Sequence, residues 1–87
     1  MPIDPDTDAI VLGLDLGGAS MLRRLARRGF AVAGITDLRH ELGLSSRYGA
    51  KIVCPDPLTD FAAWAALMTA VGAHCRKRPA LLPTGGN

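Results

Sequence analysis

Aromatic residues and cysteines are scarce in this sequence. Phenylalanine, tryptophan and tyrosine together make up 5% of its 87 residues, so its basic residues lack the interleaved rings on which single-stranded nucleic acids stack. A net charge of +2 is also too small to favour nucleic acid as a partner. The two cysteines, Cys54 and Cys75, lack CxxC spacing, and we interpret them as reduced packing residues of a cytoplasmic protein.

The sequence also lacks an apolar run long enough to cross a membrane. The longest uncharged apolar stretch, residues 61–73, is shorter than the roughly 20 residues that a membrane helix requires. The amino terminus, MPIDPDTD, does not have the basic-then-apolar order of a signal peptide. His40 and His74 stand apart from each other and from paired acids, so no metal site is expected.

What remains is an alternation of apolar runs and amphipathic segments, which predicts an α/β fold. Strands are predicted over residues 8–14, 30–36, 50–54 and 80–82, and long helices over residues 19–28 and 58–76. Right-handed crossovers then give a small open parallel sheet of four strands in the order 3-2-1-4, a Rossmann-like half with one long helix on each face. Residues 1–7 are expected to be a flexible lead-in that buries little, and residues 8–87 to form the domain.

The connection after the first predicted strand is the most informative motif. It reads Gly13-Leu14-Asp15-Leu16-Gly17-Gly18, and Asp37 follows the second strand at the spacing of a ribose-binding acid. Gly13 and Gly18 occupy the first and third glycine places of a dinucleotide fingerprint, but Asp15 occupies the second. A carboxylate there opposes the close approach of a phosphate by both bulk and charge. The turn is therefore a tight packing element, the border of a site for a ligand that is not a dinucleotide, or an NAD site with an incomplete fingerprint.

Other polar segments surround this turn in the predicted topology. Residues 45–48, Ser-Ser-Arg-Tyr, follow the second strand, and residues 84–86, Thr-Gly-Gly, follow the fourth. Both loops are expected to meet the glycine turn at the carboxyl edge of the sheet, where open α/β sheets bind ligands. The four arginines of the first helix favour a solvated face over a phosphate or RNA site. No nucleophile and base are paired by the sequence, so no catalytic residue is predicted.

Three ordered segments resemble the pre-ATP-grasp domain that opens ATP-grasp carboxylate–amine ligases of the D-aspartate-ligase-like kind. They are VLGLDLGGASMLRRLARRGFAVAGITD, SSRYGAKIVCPDP and PALLPTGGN, and together they account for nearly all of residues 8–87. Members of that family typically show a glycine-rich first turn, an acid ending the second strand, a Ser-Arg-Tyr segment before the third strand and a Pro-Thr loop after the fourth. The resemblance implies a Rossmann-like half sheet that precedes the ATP-grasp fold.

The resemblance also implies a ligase in the full-length parent. ATP would phosphorylate a small-molecule carboxylate, and an amine would attack the acyl phosphate to give an amide, ADP and phosphate. Such enzymes hold ATP and Mg²⁺ in later domains, before which this chain is expected to stop, so no cofactor is assigned to the chain itself. The final TGGN departs from the acid-bearing continuation that is usual after Pro-Thr in the family.

The resemblance assigns the loops of this domain to the border of the active-site cleft, where they shape the carboxylate or amine pocket. Together with Asp15 from the first turn, the substrate-cleft candidates are Gly13, Gly17, Gly18, Asp37, Arg47, Tyr48, Thr84 and Gly85.

Two other functions remain open from the sequence. One is a stand-alone Rossmann-like module that binds a nucleotide or a partner protein, and the other is the first half of an NAD-dependent oxidoreductase. One helix on each face is thin cover for four strands, so an exposed apolar edge or face is expected. We expect the missing ATP-grasp domain or a second copy of the chain to cover it, and no nucleic acid or membrane to bind.

Overall fold

Four parallel strands form a single sheet in the computed structural model of the protein, which describes residues 2–37 and 41–84. The strands are β1 (Ala9–Leu12), β2 (Val32–Thr36), β3 (Ala50–Val53) and β4 (Ala80–Pro83). Their order is β3-β2-β1-β4, which confirms the predicted fold class and topology. The central strands β1 and β2 are largely buried on both faces, and this explains their unbroken apolar sequence.

The two long helices lie on opposite faces of the sheet. Helix α1 (Leu16–Arg27) follows β1 and helix α2 (Phe61–His74) follows β3. Each face has its own apolar cluster. The buried residues of the α1 cluster are Ala9, Val11, Leu14, Leu22 and Val32. Those of the α2 cluster are Ile3, Ile10, Ala33, Ile35, Cys54 and Val71.

Both helices differ from the sequence prediction at their ends. Helix α1 begins three residues earlier than expected, so the second half of the predicted glycine turn is its first helical turn. Helix α2 is shorter than expected at both ends, and it begins after Asp60, whose carboxylate accepts a hydrogen bond from the Ala63 amide at 3.2 Å. Both starts are set by an aspartate at the N-cap, a residue type that supplies the missing acceptor for the first-turn amides.

The amino-terminal segment buries more than its prolines and acids predict. Ile3 is 2% exposed and belongs to the α2 cluster, and Thr7 is buried as well. The Ile3 carbonyl lies 2.6 Å from Nε2 of His74, and the Pro5 carbonyl accepts from the Arg76 amide at 2.7 Å. This segment therefore completes the core beside the carboxyl end of α2.

The surface around α2 and β4 contains exposed apolar side chains, as the thin helical cover predicts. Leu81 on the edge strand β4 is 53% exposed. Phe61 is 64% exposed although it begins the apolar stripe of α2, which consists of Phe61, Trp64, Leu67, Met68 and Val71. The remainder of the stripe packs on the sheet, with Val71 fully buried. Among the described residues, neither helix combines the length and the apolarity needed to span a membrane.

A paired leucine experiment tests the α1 cluster. Leu22 is fully buried, whereas Leu58 is 93% exposed. We expect Leu22→Ala to lower the free energy of unfolding by about 2–5 kcal/mol, because it leaves a cavity between α1 and the sheet. Leu58→Ala should change it by less than about 0.5 kcal/mol. Chemical denaturation of both variants measures the difference, and equal effects would contradict the assigned packing.

The carboxylate of Asp8 predicts a dependence of stability on acid. It contacts Nζ of Lys77 through Oδ1 and accepts from the Ala31 amide at 2.8 Å through Oδ2. These two hydrogen bonds, the one from Lys77 first, hold the pKa of Asp8 below its ordinary value of 3.8. A lowered folded-state pKa gives stability that is complete above the unfolded-state value and is lost as the pH falls through the folded-state value.

We therefore expect the melting temperature to fall as the pH drops below about 4, and Asp8→Asn to reduce the part of this fall that comes from Asp8. Asp60→Asn, which also replaces an aspartate but keeps a helix cap, is the control. Identical acid profiles for wild type and Asp8→Asn would show that this contact does not contribute.

Candidate functional site

Two glycines of the turn between β1 and α1 cannot readily be replaced, one because of its backbone conformation and the other because of close packing. Gly13 has a φ of +94°, which L side chains rarely adopt, and its amide donates to the Ile35 carbonyl at 2.8 Å. A Cβ atom at Gly18 would lie 2.0 Å from the carbonyl oxygen of Gly13. The first turn of α1 therefore rests directly on the backbone that leaves β1.

Asp15 occupies the amino terminus of α1 with its own carboxylate. Oδ1 accepts from the Gly18 amide at 3.0 Å, and a Cβ atom at Gly17 would lie at an ordinary 3.5 Å from the same oxygen. In dinucleotide-binding folds the free amides of this helical turn bind the pyrophosphate. Here the carboxylate of Asp15 accepts from one of those amides and places a negative charge where the pyrophosphate would bind.

Thr84 joins the end of β4 to this turn. Its amide donates to the Leu12 carbonyl at 3.0 Å, and its Oγ1 lies 3.0 Å from the Leu12 carbonyl and 2.9 Å from that of Gly13. The loops after β1 and β4 therefore meet at the carboxyl edge of the sheet, as expected. Of the candidates assigned to these loops, Gly85 lies outside the described residues.

Asp37 follows β2 at the same edge, on the β3 side. Its side chain is exposed. Cys54, the residue after β3, is buried, and desolvation followed by the negative charge of Asp37 raises the pKa of its thiol. A thiol in this environment is held in its neutral, unreactive form, so Cys54 is a packing residue.

Arg47 and Tyr48 lie elsewhere, and the expectation that all three loops meet at one edge is wrong for them. They precede β3, and the next residue, Gly49, would place a Cβ atom 2.5 Å from the carbonyl of Val32, where β2 begins. In a parallel sheet the chain must return from the carboxyl end of one strand to the amino end of the next. By residues 47 and 48 it has made most of that return, along the flank of α1.

These two side chains interact closely with each other. Nη2 of Arg47 donates to the Tyr48 hydroxyl at 3.1 Å, and Cζ of Arg47 lies 5.1 Å from the centroid of the tyrosine ring. Hydrogen bonding from Arg47, and then from Arg27 of α1, holds the pKa of Tyr48 below its ordinary value of 10.0. The arrangement is a cationic patch around one phenol.

The patch opens into a groove, here called the α1 groove, between α1 and the segment that contains a short 3-10 helix (Leu42–Ser45). Its volume is about 550 Å³. Its lining residues are Leu16, Ala19, Ser20, Arg23, Leu42, Ser45, Ser46, Arg47 and Tyr48.

Glu41 organises the carboxyl edge and was not identified from the sequence. Its Oε1 accepts from the Leu14 amide at 2.7 Å and from the Thr36 hydroxyl at 2.7 Å. The Leu14 carbonyl in turn accepts from the Gly43 amide at 2.7 Å. One carboxylate thus joins the glycine turn to the end of β2. The sequence shows only that Glu41 is an acid in a turn-rich loop. That pattern does not indicate that its carboxylate accepts from an amide 27 residues away.

The fold and site geometry define a Rossmann-like half domain whose first helix is capped by its own carboxylate. No protein-family model, curated protein or solved structure matches this chain. The resemblance to ATP-grasp ligases therefore stays a prediction from the residues quoted above.

A substitution series at Glu41 tests its role in holding the turn. We expect Glu41→Ala to lower the free energy of unfolding by about 1–3 kcal/mol, because the Leu14 amide loses its acceptor in a partly buried site. Glu41→Gln retains an acceptor oxygen and should recover most of that loss. Amide hydrogen exchange at Leu14 provides a local measurement, and unchanged protection in Glu41→Ala would contradict the assignment.

Proposed function

We propose that the chain is the N-terminal substrate-cleft domain of an ATP-dependent carboxylate–amine ligase and that it is not catalytic by itself. The observation on which the proposal depends most is the capping of α1 by Asp15. A glycine turn that is closed to phosphate fits a family in which ATP and Mg²⁺ are held by later domains. It fits poorly with a dinucleotide oxidoreductase, which needs that helix terminus for the pyrophosphate.

The connection between the loops after β1 and β4 supports the same proposal. The carboxyl edge of an open α/β sheet is the usual place for ligands, and here Thr84 and Gly13 form one bonded surface along it. In the proposed ligase this surface is a wall of the cleft in which the carboxylate or the amine lies. Its role is to orient a substrate while the acyl phosphate forms and is attacked by the amine.

The exposed apolar surface gives independent support for a further domain. Phe61 on α2 and Leu81 on β4 are both more than half exposed, and an edge strand leaves backbone groups unpaired. An ATP-grasp domain packed on this side would cover them. A stand-alone module that binds a partner protein would also use this surface, so the surface alone does not separate the two functions.

The DNA sequence that follows codon 87 distinguishes the ligase domain from the stand-alone module. We expect it to encode, in any frame, an ATP-grasp-like region of roughly 200 residues or more. The joined protein should form ADP only when a carboxylate and an amine are both present. In that protein Thr84→Val should raise the KM for one of these substrates about three- to tenfold and leave the KM for ATP unchanged, because one hydrogen bond at the cleft wall is lost.

Arg24→Gln, an exposed substitution on α1, is the matched control and should leave each KM unchanged. Tight binding of NADH to the 87-residue chain, followed by fluorescence, would overturn the proposal in favour of an oxidoreductase. An ATP KM that rises with Thr84→Val would place the nucleotide at this edge and would also contradict it.

A further inference from the structure

Among the described residues, no carboxylate pairs with the guanidinium groups that line the α1 groove. Arg23 and Arg47 line it, and the cation of Arg27 on α1 also contributes to the lowered pKa of Tyr48. Throughout residues 2–37 and 41–84, none of these three arginines forms an ion pair, whereas Arg76 pairs with an aspartate. Cations gathered on one surface repel each other, so an anion bound among them would gain more than at an isolated arginine.

The opposite end of the groove is apolar. Leu16 is 73% exposed and Leu42 is 60% exposed, although both are large aliphatic side chains. Arg23 follows Leu16 by seven residues on the same helix, which corresponds to about 10 Å along its axis. The carboxylate of Asp15 caps α1 at the Leu16 end and disfavours an anionic group there. The groove is therefore polarised, with an apolar end and a cationic end.

We propose that the α1 groove binds a small organic anion with an apolar tail about 10 Å long. The carboxylate or phosphate head contacts the guanidiniums of Arg23 and Arg47, whose planar donors suit such anions. The tail lies on Leu16 and Leu42. A groove of about 550 Å³ is within the size range of small-molecule sites.

This site goes beyond the proposed ligase function and does not depend on it. Binding to the α1 groove involves neither ATP nor a later domain, so it can be measured on the 87-residue chain alone. Failure to bind would leave the assay for ADP formation unaffected, and the reverse also holds.

Calorimetric titration with matched probes tests the polarity of the groove. Octanoate and octyl phosphate each combine a head with a tail of the required length, and their relative affinities identify the preferred head. Acetate and inorganic phosphate lack the tail, and octanol lacks the charge. We expect each of these three to bind at least about tenfold more weakly, a difference of 1.4 kcal/mol.

Two pairs of variants locate the site. Arg23→Gln should weaken octanoate binding about tenfold, or 1.4 kcal/mol. Arg24→Gln removes the same charge from the next residue of α1, which faces a different depression beside Leu82, and should have less than about a twofold effect. Leu42→Ala should weaken binding more than Leu58→Ala, which lies outside the groove. All four positions are exposed, so the fold should be retained in each variant.

Tyr48 provides a second readout because it is the single tyrosine of the chain. Ultraviolet absorbance follows its ionisation, whose pKa lies below 10.0 because Arg47 donates to its hydroxyl. Saturating octanoate should raise this pKa, since the bound head neutralises the guanidiniums that favour the phenolate. Equal binding of octanol and octanoate, equal effects of Arg23→Gln and Arg24→Gln, or an unchanged pKa of Tyr48 would overturn the proposal.

Discussion

The close contact between the first turn of α1 and the backbone that leaves β1 is the constraint on which the rest of the structure depends. With only a hydrogen at Gly18, the helix can rest on the carbonyl of Gly13. This contact directs Leu14 into the core, where it is fully buried, and sets the height of α1 above the sheet. The Asp15 cap and the Glu41 carboxylate then hold the turn from two sides.

The same constraint divides the chemistry of the molecule between two places. At the carboxyl edge, amides and carbonyls of the turn are used by the chain itself, and Thr84 completes this bonded surface. Such an edge can form the wall of a cleft but offers little to a phosphate. Along the flank of α1, by contrast, Arg23 and Arg47 retain donors for an external group. The cationic and apolar ends of the α1 groove therefore suit a different kind of ligand from the one that the sheet edge suits.

The architecture could be predicted because it depends on local patterns and one chiral rule. Unbroken apolar runs marked the central strands, and right-handed crossovers fixed their order. Within the site, the meeting of Gly13 and Thr84 could be predicted because the strand order places β4 beside β1. The positions of Arg47 and Tyr48 follow from the same rule and were misassigned: they stand only two and three residues before β3, so a parallel sheet must place them near its amino end. Glu41 and Ile3 were missed for a different reason: each acts through contacts with residues far away in the chain.

The sequence by itself determined the parallel sheet, its strand order and the glycine turn with an acid in its second glycine place. These follow from periodicity, chain connectivity and the steric freedom of glycine. The tertiary structure alone decided what the acids and arginines do. Asp15 became a helix cap and Glu41 a link to β2, while Arg23 and Arg47 came to line one groove although they are far apart in sequence. The physical reason is that charge and hydrogen bonding act over distances in space, and those distances exist only once the chain has packed.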